Sequence, residues 1–238
     1  MSARPSRHSI TVEGREAPVE MRRLARARRI TLALDTQSGG FRLTLPPHVG
    51  EREALAFLHA QGEWVRRALA RLPDATPFAD GVTLPVMGRE WQVRHCPEAR
   101  RGVWFEEDLL CVSGEARHVE RRLRDFLKRL AEREIAPRAI AMADRLGLKI
   151  GRISVRDQKS RWGSCSASGD IRFNWRLICA PPAVMEYVIA HEVAHLVHLN
   201  HSPAFWQVVS SLCPEWKRHR RWLRSDGAGL LRLGGDAA

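Results

Sequence analysis

The sequence predicts an α+β protein, and three observations carry that expectation. Short alternating segments occupy much of residues 1–115, the pattern of half-buried strands. A helical periodicity then runs from Arg117 to Leu146, the longest in the chain. Beyond residue 150, two brief apolar runs precede Ala183–Val197, which is apolar nearly all round and therefore reads as a buried helix. The chain divides into a β-rich N-terminal region (1–115), a connecting helix (116–149), a C-terminal domain of strands and helices (150–226) and a loose Gly/Ala-rich tail (227–238).

Taken in order, Ser9–Glu13, Ile30–Leu34 and Phe41–Leu45 alternate as strands, the last two separated by Gln37-Ser38-Gly39-Gly40 as a hairpin turn. Pro46-Pro47 ends the third, because proline cannot donate to a ladder. Glu51–Leu72 reads as one helix, with Leu55, Leu58, Val65, Leu69 and Leu72 on a single stripe and acids in the first turn. Gly81–Cys96 and Val103–Val112 supply more strands, turning near Met87-Gly88 and Glu106–Asp108. In the long helix, Val119, Leu123, Phe126, Leu127 and Leu130 form one face, Pro137 is expected to kink or split it, and Gly147 to stop it. Ile150–Val155 and Ile171–Asn174 are strands. Pro181-Pro182 opens the apolar helix, Ser202-Pro203 caps and starts the next, and Pro214-Glu215 begins a last, basic one.

Composition narrows the class. A chain of 238 residues that is 44% hydrophobic can bury a sizeable core and is not disordered throughout. No apolar run reaches the ~18 residues that span a bilayer, and Met1–Arg15 has no apolar stretch of a secretory signal. Five cysteines without a CxxC pair argue against a disulfide scaffold or a cysteine-only zinc site. The expectation is a cytoplasmic protein with no membrane partner. The net charge of +12 is carried mostly by arginine. Five arginines lie between Met21 and Ile30 without an acid, and Lys217, Arg218, Arg220, Arg221 and Arg224 crowd the last helix. Such a surface attracts polyanions, and weak nucleic-acid or nucleotide contact is expected through it.

The chemistry is concentrated in His191-Glu192-Val193-Ala194-His195. On a helix, residues four apart share a face with Cβ atoms roughly 5–6 Å apart. Two imidazoles so placed can bind one Zn²⁺ at about 2.0–2.1 Å. Glu192 beside them is placed to take a proton from a water that the metal acidifies. Met185, Val188, Ile189, Ala190, Val193 and Leu196 make the surrounding helix apolar. Burying two histidines and a glutamate there costs several kcal/mol unless a partner such as a metal compensates. A catalytic zinc takes three protein ligands and keeps one position open. His201 follows His195 by six residues, with Asn200 able to turn the chain back. His198 is the rival, but a continuing helix sets it about 10 Å along the axis from His191, too far to share the ion readily. The spacing is that of HExxHxxGxxH proteases, yet His198 replaces the glycine and no methionine follows His201, so the chain is a zincin without the metzincin Met-turn.

Gln158-Lys159-Ser160-Arg161-Trp162-Gly163-Ser164-Cys165 lies between two strands, close in sequence to that helix. Lys159 or Arg161 could stabilise an oxyanion or bind a phosphate, and a backbone edge there could hold an extended peptide. Trp162 fits either a substrate contact or a core position.

Taken together, Arg161-Trp162-Gly163-Ser164-Cys165, Ile171, Asn174, Tyr187–His195, Asn200-His201-Ser202 and Phe205-Trp206 resemble the YgjP-like metallopeptidases, over residues 150–224. The same segment is similar to the minimal zincin domains of SprT-type and WLM-type proteases. The resemblance implies that 150–226 is a zincin-like catalytic domain, with His191, His195 and His201 as Zn²⁺ ligands and Glu192 as general base. Lys159, Arg161, Trp162 and Asn174 are then the expected substrate-binding residues. The expected function is zinc-dependent hydrolysis of a peptide or protein. A metal-dependent nucleotide phosphohydrolase of pyrophosphatase type is one alternative. A nucleic-acid-binding protein with structural zinc is another, and it would need a fourth ligand from Cys165 or His198.

Overall fold

The computed structural model of the chain describes residues 6–235. They form two compact units, one running to Ala75 and the other starting at Thr76. The division expected near residue 115 falls at 75/76 instead. The physical reason is a shared core: Leu84, Val86, Val93, Leu110 and Val112 cluster with Leu123 and Leu127 of the long helix.

In the first unit, β1 (Ser6–Val12), β2 (Arg15–Arg23), β3 (Thr31–Asp35) and β4 (Gly40–Leu45) form a sheet in the order β1-β2-β4-β3. Two antiparallel hairpins are joined by a parallel β2–β4 pair. Strand β2 escaped the sequence reading. Ala17, Val19 and Met21 face inward, but alanine and the outward Glu16, Pro18 and Arg22 dilute the apolar signal. The helix expected over 51–72 is two, α1 (Glu51–Ala60) and α2 (Gly62–Ala70), parted at Gln61-Gly62, where glycine costs about 1 kcal/mol relative to alanine. Leu58, Val65 and Leu69 join Val19, Phe41 and Leu43 of the sheet in one core.

The second unit opens with β5 (Thr83–Val86), β6 (Arg89–Cys96), β7 (Val103–Glu106) and β8 (Leu109–Ser113) in the order β5-β6-β8-β7, again two hairpins about a parallel pair. The first hairpin of each sheet turns on a left-handed residue and a glycine. These are Glu13-Gly14 (φ 51° and 79°) and Met87-Gly88 (φ 52° and 79°), the dihedrals of a type I′ connection. Helix α3 (Val119–Asp144) continues through Pro137 and is not split. Leu130, Ile135, Ala139 and Met142 are buried on both sides of the proline, and that packing outweighs the one lost hydrogen bond. Gly147, at φ 68°, ends the helix, with Leu148 N–H donating to Ala143 O at 3.0 Å.

A third sheet follows, with β9 (Ile153–Arg156), β10 (Gly163–Cys165) and β11 (Ile171–Asn174) in the order β10-β11-β9. At three residues β10 is too short to show an alternation. A buried 3₁₀ turn, Trp175–Cys179, leads into α4 (Pro182–Ala194), α5 (Pro203–Leu212), α6 (Trp216–Ser225) and α7 (Gly227–Leu231). The segment after 226 is ordered and not a loose tail as far as it is described. It forms α7, buries Leu230 and Leu233, and pairs Leu233 with Thr76. No helix among the described residues is long and apolar enough to cross a membrane.

Arg176 fastens this unit internally. Its side chain is 1% exposed, donates to the Asp157 carboxylate and to Leu233 O at 3.3 Å, and lies 4.4 Å from the Trp175 ring. Asp157 is held below its ordinary pKa of 3.8: burial pushes it up, but the Arg176 hydrogen bond and charge outweigh burial. Its stabilising contribution is therefore complete above pH 3.8 and is lost as pH falls through the depressed folded value. Asp157→Asn is expected to destabilise the protein by about 1–3 kcal/mol at neutral pH, since a buried guanidinium loses its anionic acceptor. Denaturant melts at pH 7 and pH 3 should show that difference shrinking at the acid end.

Candidate metal centre

The centre is built by α4, the loop after it and the start of α5. Helix α4 is buried on nearly every side, with Val184, Met185, Val188, Ile189, Ala190 and Val193 all in the core. Its last residue is Ala194, so His191 and Glu192 are helical and His195 is the capping residue. The helix therefore does not carry the whole His191–His195 motif, as the sequence reading had it. Ending there lets the chain fold back. His195 Nδ1 lies 2.9 Å from His198 O, and donating to that carbonyl fixes the tautomer and leaves Nε2 as the free donor atom. Ser202 then caps α5, accepting from Phe205 N–H at 3.4 Å, with Pro203 in the first turn.

This backbone path brings three imidazoles together. His191, His195 and His201 each offer a nitrogen, all within 4.8 Å of one another. His191 Nε2 and His201 Nε2 are 3.2 Å apart. Two nitrogens bound tetrahedrally at the usual zinc distance stand about 3.3 Å apart, so this pair already has the spacing of a shared ion. The Phe205 ring centroid is 5.0, 4.6 and 4.8 Å from those of His191, His195 and His201, and Trp206 lies 5.8 Å from two of them. Trp206 in turn stacks on Trp216 at 4.2 Å and lies under the Arg220 guanidinium at 4.9 Å. The imidazoles are thus oriented by packed aromatics. From the sequence Phe205-Trp206 stands out without its packing role, and Arg220 stands out only as one of the basic residues of the last helix and not as a partner of Trp206. An aromatic pair one turn after the third histidine was the available signal.

Electrostatics favour unprotonated nitrogens. Burial, then the neighbouring His195 and His201 and Arg220, push the His191 pKa down to about 3. Burial, His195 and Arg220 lower that of His201 as well. His191 Nδ1 is buried without a hydrogen-bond partner. Neutral nitrogens converging at this spacing fit a divalent cation of the zinc type. Glu192 is 5% exposed, and burial raises its pKa to about 8, opposed by Arg161. Its side chain rests on β10. A Cβ at Gly163 would stand 2.5 Å from Glu192 Cγ and Oε1, so only glycine leaves room for the carboxylate there.

The other residues singled out by sequence are placed as follows. Cys165 and His198 stand outside the three-histidine group, so among the described residues no fourth ligand completes it. Arg161 is exposed and acts electrostatically on Glu192. Lys159 is exposed on the same loop. Trp162 is half-buried and packs toward Gly227 and the core. Asn174 is a correction to the expected substrate set. It is fully buried, donates from Nδ2 to Gln158 O (2.7 Å) and Arg161 O (3.3 Å), and accepts from Arg176 N–H (3.0 Å). Its polar atoms hold the 158–161 loop in place and have no surface to offer a substrate.

No curated protein matches the chain. Among solved structures, the metallopeptidase zymogen of Pyrococcus abyssi abylysin is similar at 23% identity and a TM-score of 0.36, over 39% of this chain and 95% of that one. The YgjP-like, metallopeptidase domain matches residues 28–226. That span covers most of the chain, with parts of both structural units and every histidine of the centre, and the chain belongs to the YgjP-like metallopeptidase family.

Proposed function

We propose that the protein is a zinc peptidase of the cytoplasm in which His191, His195 and His201 hold the ion and Glu192 is the general base. The observation that carries this reading is the convergence of three imidazole nitrogens within 4.8 Å of one another, with a buried carboxylate next in sequence to the first. Bound there, Zn²⁺ supplies a Lewis acid that polarises a carbonyl and brings the pKa of a water toward about 7. Glu192 accepts the proton of the attacking water and passes it to the departing amine. Arg161, and a dication in the centre, both favour the ionised carboxylate that this role needs. The His195–His198 hydrogen bond and the Phe205–Trp206 packing hold the imidazoles, so little reorganisation accompanies binding. Lys159, Arg161 and Trp162 lie on the loop entering β10, the sheet edge along which an extended peptide would run.

The test is metal replacement. Protein stripped with a chelator should regain hydrolysis of a mixed peptide library on addition of one equivalent of Zn²⁺. A nucleotide panel run alongside should stay uncleaved. Cleavage of nucleotides and not peptides would transfer the same centre to phosphoanhydride chemistry.

A further inference from the structure

We propose that the outer face of the β10-β11-β9 sheet is an anchoring site for an acidic segment of the protein substrate. The proposal rests on the peptidase reading above and names its substrate class. Ser154 and Arg156 of β9, and Arg152 just before it, fall at every second position and so share one face. In register across the sheet, Ser154 neighbours Arg172, and Arg172 neighbours Ser164. With Arg161 from the preceding loop, these residues line a cavity of about 540 Å³, the size of a ligand site.

Some arginines elsewhere in the molecule are paired, as Arg42 is with Asp35 at 2.5 Å and Arg138 with Glu134 at 2.7 Å. Here Arg152, Arg156 and Arg172 have no side-chain ion pair among the described residues. The one acid in the lining, Asp170, is turned to the backbone, where it accepts from Arg152 N–H at 3.0 Å. Like charges gathered in a concavity repel one another and focus a positive field outward, which an anion relieves. Guanidinium groups bind carboxylates in a bidentate fork, and serine hydroxyls add donors.

An acidic peptide fits better than a nucleic acid. No aromatic side chain lines the cavity to stack a base. An extended peptide presents alternate side chains every ~6.6–6.8 Å, the same repeat that sets Ser154 and Arg156 along β9. The cavity is also one strand away from the chemistry. Ser164 lines it, while its neighbour Gly163 lies against Glu192. A chain anchored on this face can pass around the β10 edge to the metal centre.

The test uses zinc-loaded Glu192→Gln protein and fluorescence anisotropy at low salt. The probes are a labelled peptide alternating Glu and Ser, its Gln-Ser counterpart, and a mixed-sequence DNA duplex. The Glu-Ser peptide should bind at least about tenfold more tightly than the Gln-Ser peptide, and salt should weaken it. Arg156→Gln combined with Arg172→Gln should lower its affinity by about 10–100-fold. Both residues are exposed, so the fold should survive, and an unchanged melting temperature checks this. Equal binding of the two peptides, or no effect of the double variant, overturns the proposal. Preferential binding of the duplex, lost in the double variant, also overturns it and makes this face a nucleic-acid surface. Binding is read without turnover, so it separates from the peptidase reading. If the acidic peptide binds as expected and the wild-type zinc protein cleaves no peptide, the anchoring site stands and the peptidase reading falls.

Discussion

Glu192→Gln is expected to keep its zinc and lose hydrolysis by about 10²–10⁴-fold, the contribution of a positioned general acid–base group. Glutamine has the shape of glutamate, and shape matters at this position. Gly163 lies so close that even a methyl group there would strike the side chain. The isosteric amide fills the same space and cannot accept the proton. The three imidazoles are oriented by Phe205, Trp206 and His198 O, none of which depends on Glu192, so metal content should match wild type by elemental analysis. A zinc-replete Glu192→Gln protein cleaving at the full rate would remove Glu192 from the mechanism.

The second large effect is on metal affinity. His201→Ala should weaken zinc binding by more than about 100-fold, beyond what loss of an outer hydrogen-bond partner costs. His198→Ala should stay within about tenfold of wild type. The contrast follows from which atoms are used. His201 contributes its ring nitrogen, 3.2 Å from that of His191, and alanine deletes it. His198 contributes only its backbone carbonyl to His195 Nδ1, and alanine retains a carbonyl. Chelator competition on both variants checks the order, and the reverse order would make His198 the ligand.

The part of this centre that was legible in the sequence is the part written in short spacing. His191, Glu192 and His195 lie within five residues, and helical geometry alone sets the first two on a common support. His201 was legible because a six-residue step can return the chain to the same ion. What was not legible depends on atoms without a sequence signature. The use of a histidine's backbone oxygen, the end of α4 one residue before His195, and a glycine chosen for the neighbour it touches emerge only from tertiary packing. Asn174 illustrates the limit from the other side. It belongs to a recognisable cluster of residues, yet burial assigns it to the loop and not to the substrate. For the fold, a turn at Met87-Gly88 and the strand Ile171–Asn174 followed from local chemistry, while the type I′ geometry of that turn did not. Pro137 does not split its helix because its penalty is local, whereas the packing that overrides it is contributed by distant residues.

The three histidines span only residues 191–201, so an ion held by them closes a ring of eleven residues. A ring this short restrains the unfolded chain less than a longer one would, because the closure cost grows with loop length. The surrounding side chains, Ile189, Val193 and Phe205, are buried without reference to the ion. An ion held there would therefore occupy a finished pocket and would not staple the domain. In contrast to a zinc finger, whose apo form is unfolded, this protein should be able to lose and regain its metal while folded. A metal-dependent activity would then follow the supply of free ion around it, with no refolding step in between.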